Sequence, residues 1–255
     1  TRTQESGLMK FLRRSLYLAL LLCCTNAKGI VGTQNLIGVA RDSNEQVLYI
    51  EHHQYLDSGE HLINYYSPEL TLLVEKKLSY PGLPHHPDIV QSDILNDIEI
   101  TMQSRMSYLQ VVREQAEESS SWNFELTPNV VVDAGFDGYI RNAWSELSPR
   151  ETKIVSFAVA GQSRLIKMKI RDQGFENGRR IFTIEPKNWL VKMIVPRIRL
   201  EYSSERQLVR YEGLSNIKAF QENGMSVVDI QFKPWQGQLP SLASDITSDI
   251  SDSRL

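Results

Sequence analysis

The chain has 255 residues, of which 41% are hydrophobic and 23% charged, and carries a formal net charge of -3. This length accommodates one large β-rich domain or two small ones and buries a sizeable core without disulfides, and the composition excludes wholesale disorder. There is no basic excess, which argues against nucleic acid as a partner.

The N-terminus has three parts. Lys10, Arg13 and Arg14 are basic, "SLYLALLLCC" (Ser15 to Cys24) is apolar, and "TNA" (Thr25 to Ala27) supplies small residues. This is the pattern of a secretory signal peptide, with Met9 as the natural start and cleavage expected after Ala27. The apolar run is about half the ~20 residues a spanning helix needs. Cys23 and Cys24 follow Leu22 and Cys23, so neither fits a lipid-attachment site well. Cleavage would remove four of 28 basic and one of 31 acidic residues, leaving a net charge of -6 and no cysteine. The expectation is a periplasmic protein without disulfides or thiol chemistry, meeting the membrane only peripherally.

Beyond this leader, residues 28–234 read as one β-rich domain and 235–255 as a polar tail expected to be disordered. "VLYIEHHQYL" (Val47 to Leu56), "HLINYYS" (His61 to Ser67) and "TLLVEKKLSY" (Thr71 to Tyr80), separated by "DSGE" and "PEL", read as an antiparallel meander. "PGLPHHPD" (Pro81 to Asp88) has three prolines in eight residues and reads as a loop. "DIEITMQS" and "MSYLQVVRE" suit a second hairpin with Arg105 near its turn. "EQAEESSS" (Glu114 to Ser121) reads as an exposed acidic loop. "NVVV" is a short buried strand, and Tyr139, Ile140, Ala143, Trp144 and Leu147 recur at helical spacing after it.

Two further stretches, "TKIVSFAVAG" (Thr152 to Gly161) and "RLIKMKIRDQ" (Arg164 to Gln173), form an expected hairpin. In the second, Lys167, Lys169 and Arg171 alternate with Ile166, Met168 and Ile170. "GRRIFTIEP" follows an Asn177–Gly178 turn. "NWLVKMIVP" (Asn188 to Pro196) reads as a short helix or edge strand, and three more strands follow. The sum is about eleven or twelve strands, and the fold class is mainly β (α+β): a strongly curved antiparallel sheet or half-open barrel with one or two helices packed on it.

The chemistry-bearing residues are few. In "VVVDAGFDGYIRNAWSEL" (Val130 to Leu147), Asp133 and Asp137 are either a carboxylate pair or turn-formers. The structural reading is preferred: Asp137 as helix N-cap, Asp133 fixing the turn or pairing with Arg141, and Gly135 and Gly138 giving backbone freedom. All five histidines, His52, His53, His61, His85 and His86, lie within 35 residues. Clustered imidazoles can hold zinc or copper. Adjacent strand residues face opposite sides, however, so His52 and His53 cannot both face one ion without distortion; His61 could pair across the hairpin with one of them, and the Pro-rich loop could swing His85 or His86 over. No nucleophile elbow, phosphate loop or dinucleotide fingerprint is present. No catalytic residue, metal ligand or cofactor is therefore assigned.

The stretches "GVARDSNEQVLYIEHHQY", "VVVDAGFDGYIRNAWSEL" and "EPKNWLVKMIVPRIRLEYSSERQLVRYEGLSNI" together resemble a family of exported proteins of Gram-negative bacteria, over most of Gly38 to Phe232. That resemblance implies a periplasmic location and assigns no functional residue. At the level of pattern alone, the chain is also similar to the lipoprotein-carrier (LolA-like) architecture, whose half-open barrels hold acyl chains. This likeness implies a non-enzymatic protein binding a lipid-like ligand, a lipoprotein or an envelope protein on a concave apolar surface. Trp144, Phe157, Trp189, Leu190 and Met193 are its candidate lining. The alternatives are an envelope hydrolase or metal-dependent enzyme using Asp133, Asp137 or the histidines, and a structural interaction module without a pocket.

Overall fold

The computed structural model describes residues 34–149, 151–192, 195–215, 217 and 227–236, all within one compact unit. The leader, Met193, Asn216 and nearly all of the polar tail lie outside the described residues. Fifteen strands form one sheet: β1 (Leu36–Arg41), β2 (Val47–Tyr55), β3 (His61–Tyr66), β4 (Leu72–Ser79), β5 (Asp88–Asp93), β6 (Ile98–Ser104), β7 (Tyr108–Gln115), β8 (Glu118–Glu125), β9 (Val130–Val132), β10 (Thr152–Ala158), β11 (Ile166–Glu176), β12 (Arg179–Pro186), β13 (Ile198–Tyr202), β14 (Leu208–Leu214) and β15 (Val227–Pro234). A 3-10 turn (Asp133–Gly135) leads into helix α1 (Phe136–Asn142), and α2 (Trp189–Lys192) is a single turn. No helix among the described residues is long and apolar enough to cross a membrane.

The sheet order is simple. It runs from β8 down to β1, crosses to β15, and runs down again to β9. Each neighbouring pair is antiparallel except β9 and β10, which are parallel. Two meanders are thus joined through the first and last strands of the domain, and the sheet is mainly β and antiparallel, as the alternation predicts. The count exceeds the eleven or twelve strands expected. β5 is an added strand, hidden behind the prolines. β8 replaces the expected acidic loop, and Ala116 adopts φ 52° in the tight turn that leads into it. The Asn177–Gly178 turn forms as read, with φ 50° and 77°.

The sheet curls around one core. Tyr49, Ile63, Leu78, Ile89, Met102 and Val111 from the first meander and Val131, Phe157, Ile170, Phe182 and Leu200 from the second belong to the same buried cluster. Phe136, Tyr139, Ile140, Ala143, Trp144 and Leu147 pack into it, so the segment carrying α1 fills the concave face. Fully burying a side chain such as Ile140 contributes about 1.5–3 kcal/mol. On the convex face of β1 and β2, Ile37 and Ile50 form a satellite cluster with Trp235 and Tyr66.

Candidate functional site

The period of two along each strand fixes which polar groups enter the interior. On β4, Val74, Lys76 and Leu78 point inward while Glu75 and Lys77 are exposed. Lys76 is 2% exposed, and its Nζ donates to Asp133 Oδ1 at 2.7 Å. Asp133 adopts φ 43°, and its carboxylate also accepts the N–H groups of Ala134 (2.8 Å) and Ala160 (2.9 Å). Burial pushes its carboxyl up; Lys76 and the two N–H donors outweigh that and hold it below the usual carboxylate value. The acid therefore fixes its turn, as expected, but its cation is Lys76 and not Arg141.

Asp137 departs from its expected role. The N-cap position is held by Gly135, without a side-chain cap bond, because the 3-10 turn starts the helix early. Asp137 stands in the first turn, where it accepts from Arg141 Nε (3.1 Å) and from the buried Tyr202 hydroxyl (3.0 Å). Gly135 and Gly138 serve close approach and not backbone freedom. A Cβ on Gly138 would stand 2.3 Å from Pro84 O, and one on Gly135 2.8 Å from His85 O. Behind the helix, Arg180 donates to Trp144 O (2.7 Å), Leu147 O (2.6 Å) and Asp172 Oδ2 (2.8 Å). Its guanidinium lies 4.6 Å from the Trp144 ring centroid.

The histidines divide as the alternation requires. His53 enters the interior, where its Nε2 donates to Glu51 Oε2 (3.0 Å); its Nδ1 then accepts from His61 Nε2 (3.0 Å). His61 thus reaches across the hairpin, and burial drives its pKa well below the ordinary value. His52 lies on the opposite face. His85 and His86 belong to the Pro-rich loop, where they bond to main-chain carbonyls. Among the described residues, no group of three or more His, Cys, Asp or Glu side chains is arranged to hold a metal ion.

The two ends of the sheet are treated differently. β9 is the second meander's edge strand, and the loop 81–87 seals its free edge. Val132 N–H donates to His85 O (3.0 Å), His86 Nε2 donates to Val130 O (2.9 Å), and His85 Nε2 donates to Pro128 O (3.0 Å). At the other end, among the described residues, β8 is bonded only to β7. The two-residue turn makes Gln115–Glu118 the first hydrogen-bonded pair, and the bond from Leu126 N to Ser107 O continues the same alternation. Ser119, Ser121, Asn123 and Glu125 therefore turn their N–H and C=O groups away from the sheet. No backbone bond beyond β7 reaches them among the described residues.

The expected ligand lining is dispersed. Trp144 packs on Phe182 and Tyr202, and Phe157 is buried on β10. Trp189 and Leu190 are exposed on α2 (68% and 54%), and Met193 lies outside the described residues. Lys76, Glu51 and Arg180 escape the sequence reading, although each is a charge at an inward position of an alternating strand, which is the available signal. On the convex face, Glu176, Arg179, Arg199, Glu201 and Arg210 line a depression of about 360 Å³. Each of its arginines is already paired: Arg179 with Glu201, Arg199 with Glu176, and Arg210 with Asp229.

No protein-family model matches the chain, and neither does any curated protein.

Proposed function

We propose that this is an exported, non-catalytic binding protein of the cell envelope, whose ligand is another polypeptide held at the rim of the sheet. One observation carries the reading: the protein's own helix fills the concave face, so among the described residues a free surface for recognition is left at the open edge of β8 and not inside the curve. Asp133 and Asp137, the residues a hydrolase would use, are engaged by Lys76 and by Arg141 and Tyr202. A carboxylate held by a buried ammonium and two main-chain donors is a structural latch, poorly placed to take a proton from substrate. Export rests on the basic, apolar and small segments that precede Lys28. A lipid-like ligand on the concave face would have to displace α1 and its aromatic side chains.

The test is chemical cross-linking in intact cells, followed by identification of the covalent adducts and by lipid extraction of the purified protein. The expected result is an adduct with one other envelope protein and no stoichiometric lipid. Lipid at one equivalent, with no protein adduct, overturns the reading.

A further inference from the structure

Starting from that reading, we infer that the β8 edge is a strand-addition site for an extended, basic, amphipathic segment of a partner protein. An unpaired strand edge is a template for a further strand, and natural sheets block such edges with charged side chains, lysine above all, with proline, bulges or covering loops. Among the described residues, one edge is blocked and the other is left open. The β9 edge is three residues long and carries the loop 81–87, with its prolines and two histidines, across it. The β8 edge is eight residues long, contains no proline, lysine or arginine, and pairs with β7 without a register shift. Its four outward N–H and C=O sets match the main chain of an added strand, the mode of recognition used in β-augmentation.

The side chains define the chemistry of that strand. On the inner face Trp122 and Phe124 are half-buried at the rim and pack on the core. An added strand with apolar residues in register would cover what they leave exposed. Glu114 and Glu125 stand on the other face, Glu117 in the hairpin turn and Glu118 beside the turn on the face of Trp122; β8 has two acids and no base. A partner segment alternating Val, Ile or Thr with Lys or Arg satisfies both faces, the cations meeting Glu125 and the acids around the turn while the apolar set meets Trp122 and Phe124. A second copy of this chain is a poor occupant, since it would bring the same acids alongside with no countercharge. An acidic strand fails for the same reason.

The experiment uses the full chain and three probes: an eight-residue peptide alternating Val and Lys, its Glu counterpart, and a Lys-rich peptide of equal charge containing alternate prolines. Affinities are read by calorimetry and contacts by amide hydrogen exchange. Only the Val/Lys peptide is expected to bind, at least tenfold tighter than either control. It should slow exchange at Ser119, Ser121, Asn123 and Glu125 while leaving Ser120 and Trp122, whose amides already face β7, unchanged. Ser121→Pro removes one outward N–H without touching the β7 ladder, and is expected to lose binding at least tenfold. Glu118→Lys/Glu125→Lys changes only exposed side chains and should reverse the preference between the Lys and Glu peptides. Equal binding of the proline-containing peptide, protection elsewhere, or an unaffected Ser121→Pro variant of normal unfolding midpoint would each overturn the assignment. A cellular adduct mapped away from β8 sinks the edge alone; absence of any protein adduct sinks the partner-binding reading with it.

Discussion

Lys76 and Asp133 meet at 2.7 Å although 57 residues separate them, and both side chains are nearly inaccessible (3% and 10%). The contact ties the fourth strand of one meander to the turn that follows the edge strand, β9, of the other. It closes the curve where no main-chain ladder does. Breaking such a pair leaves an uncompensated buried charge, which costs about 3–5 kcal/mol. Lys76→Met should therefore lower the free energy of urea unfolding by about that amount. Asp133→Asn, which tolerates the positive φ, should cost as much through the stranded ammonium. The double variant Lys76→Met/Asp133→Asn should recover a substantial part of the loss. If the two single losses simply add, the pair is not coupled and the closing role is wrong.

The same pair gives an acid limb with a definite sign. The folded pKa of Asp133 lies below its unfolded value near 3.8. Its contribution is then complete above that value and disappears as pH falls through the depressed folded pKa. A second contribution starts earlier. Burial, with help from His86, pulls the His85 pKa down to about 4, against an upward pull from Pro128 O. A histidine kept neutral in the folded state stabilises fully above its unfolded pKa near 6.5, and that stabilisation is lost as pH falls toward 4. Urea midpoints should stay level from pH ~7.5 to about 6.5 and decline from there to ~4, and His85→Gln should flatten the decline. A flat profile between those limits would contradict the buried neutral state of His85.

Gly138 predicts a local effect. A methyl group there would stand 2.3 Å from Pro84 O, a main-chain atom that cannot rotate away. Gly138→Ala should cost about 1–3 kcal/mol, in the range of overpacking, and should raise the exchange rate of the Val132 amide, which the displaced loop caps. Gly82→Ala is the control. A methyl group at Gly82 would meet nothing within 4 Å and no positive φ is required, so its effect should stay within about 0.5 kcal/mol. Equal behaviour of the two variants would show that loop and helix are not in close contact.

What the sequence discloses follows from how each signal arises. Half-buried strands such as β11 announce themselves, because Lys167, Lys169 and Arg171 alternate with Ile166, Met168 and Ile170. An edge strand wet on both faces does not. In β8 only Trp122 and Phe124 touch the core, so Glu118 to Ser121 read as a loop. β5 is obscured because the prolines before it dominate the local pattern, although only its first residues adjoin them. The histidine geometry is legible from period two alone, whereas the partner of Asp133 is not, since a contact across 57 residues leaves no local trace. Asp137 is displaced from the expected cap for a local reason: a 3-10 start shifts the helix N-terminus back to Gly135. The proposed strand edge falls on the segment that sequence rules handle worst, since the wet, polar character that hides a strand from pattern reading also marks it as unpaired.

Arg180 provides the last prediction. Its side chain is 10% exposed, with one charge partner, Asp172, whose side chain is 2% exposed. Its remaining donors take Trp144 O and Leu147 O, carbonyls just past α1 that otherwise face the core. Arg180→Lys keeps the charge but supplies a point donor where a planar fork spans three acceptors. The expected loss is about 1–3 kcal/mol, from carbonyls left without partners. Arg180→Met should lose about 3–5 kcal/mol, because Asp172 is then buried and unpaired. Asp172→Asn in the Arg180→Met background should restore part of that loss, while leaving the carbonyl contribution missing. Because Trp144 stacks on this guanidinium, its fluorescence gives an independent readout: an altered emission maximum is expected for Arg180→Met in the folded protein. An unchanged spectrum together with unchanged stability would mean that the helix is held against the sheet by apolar packing alone.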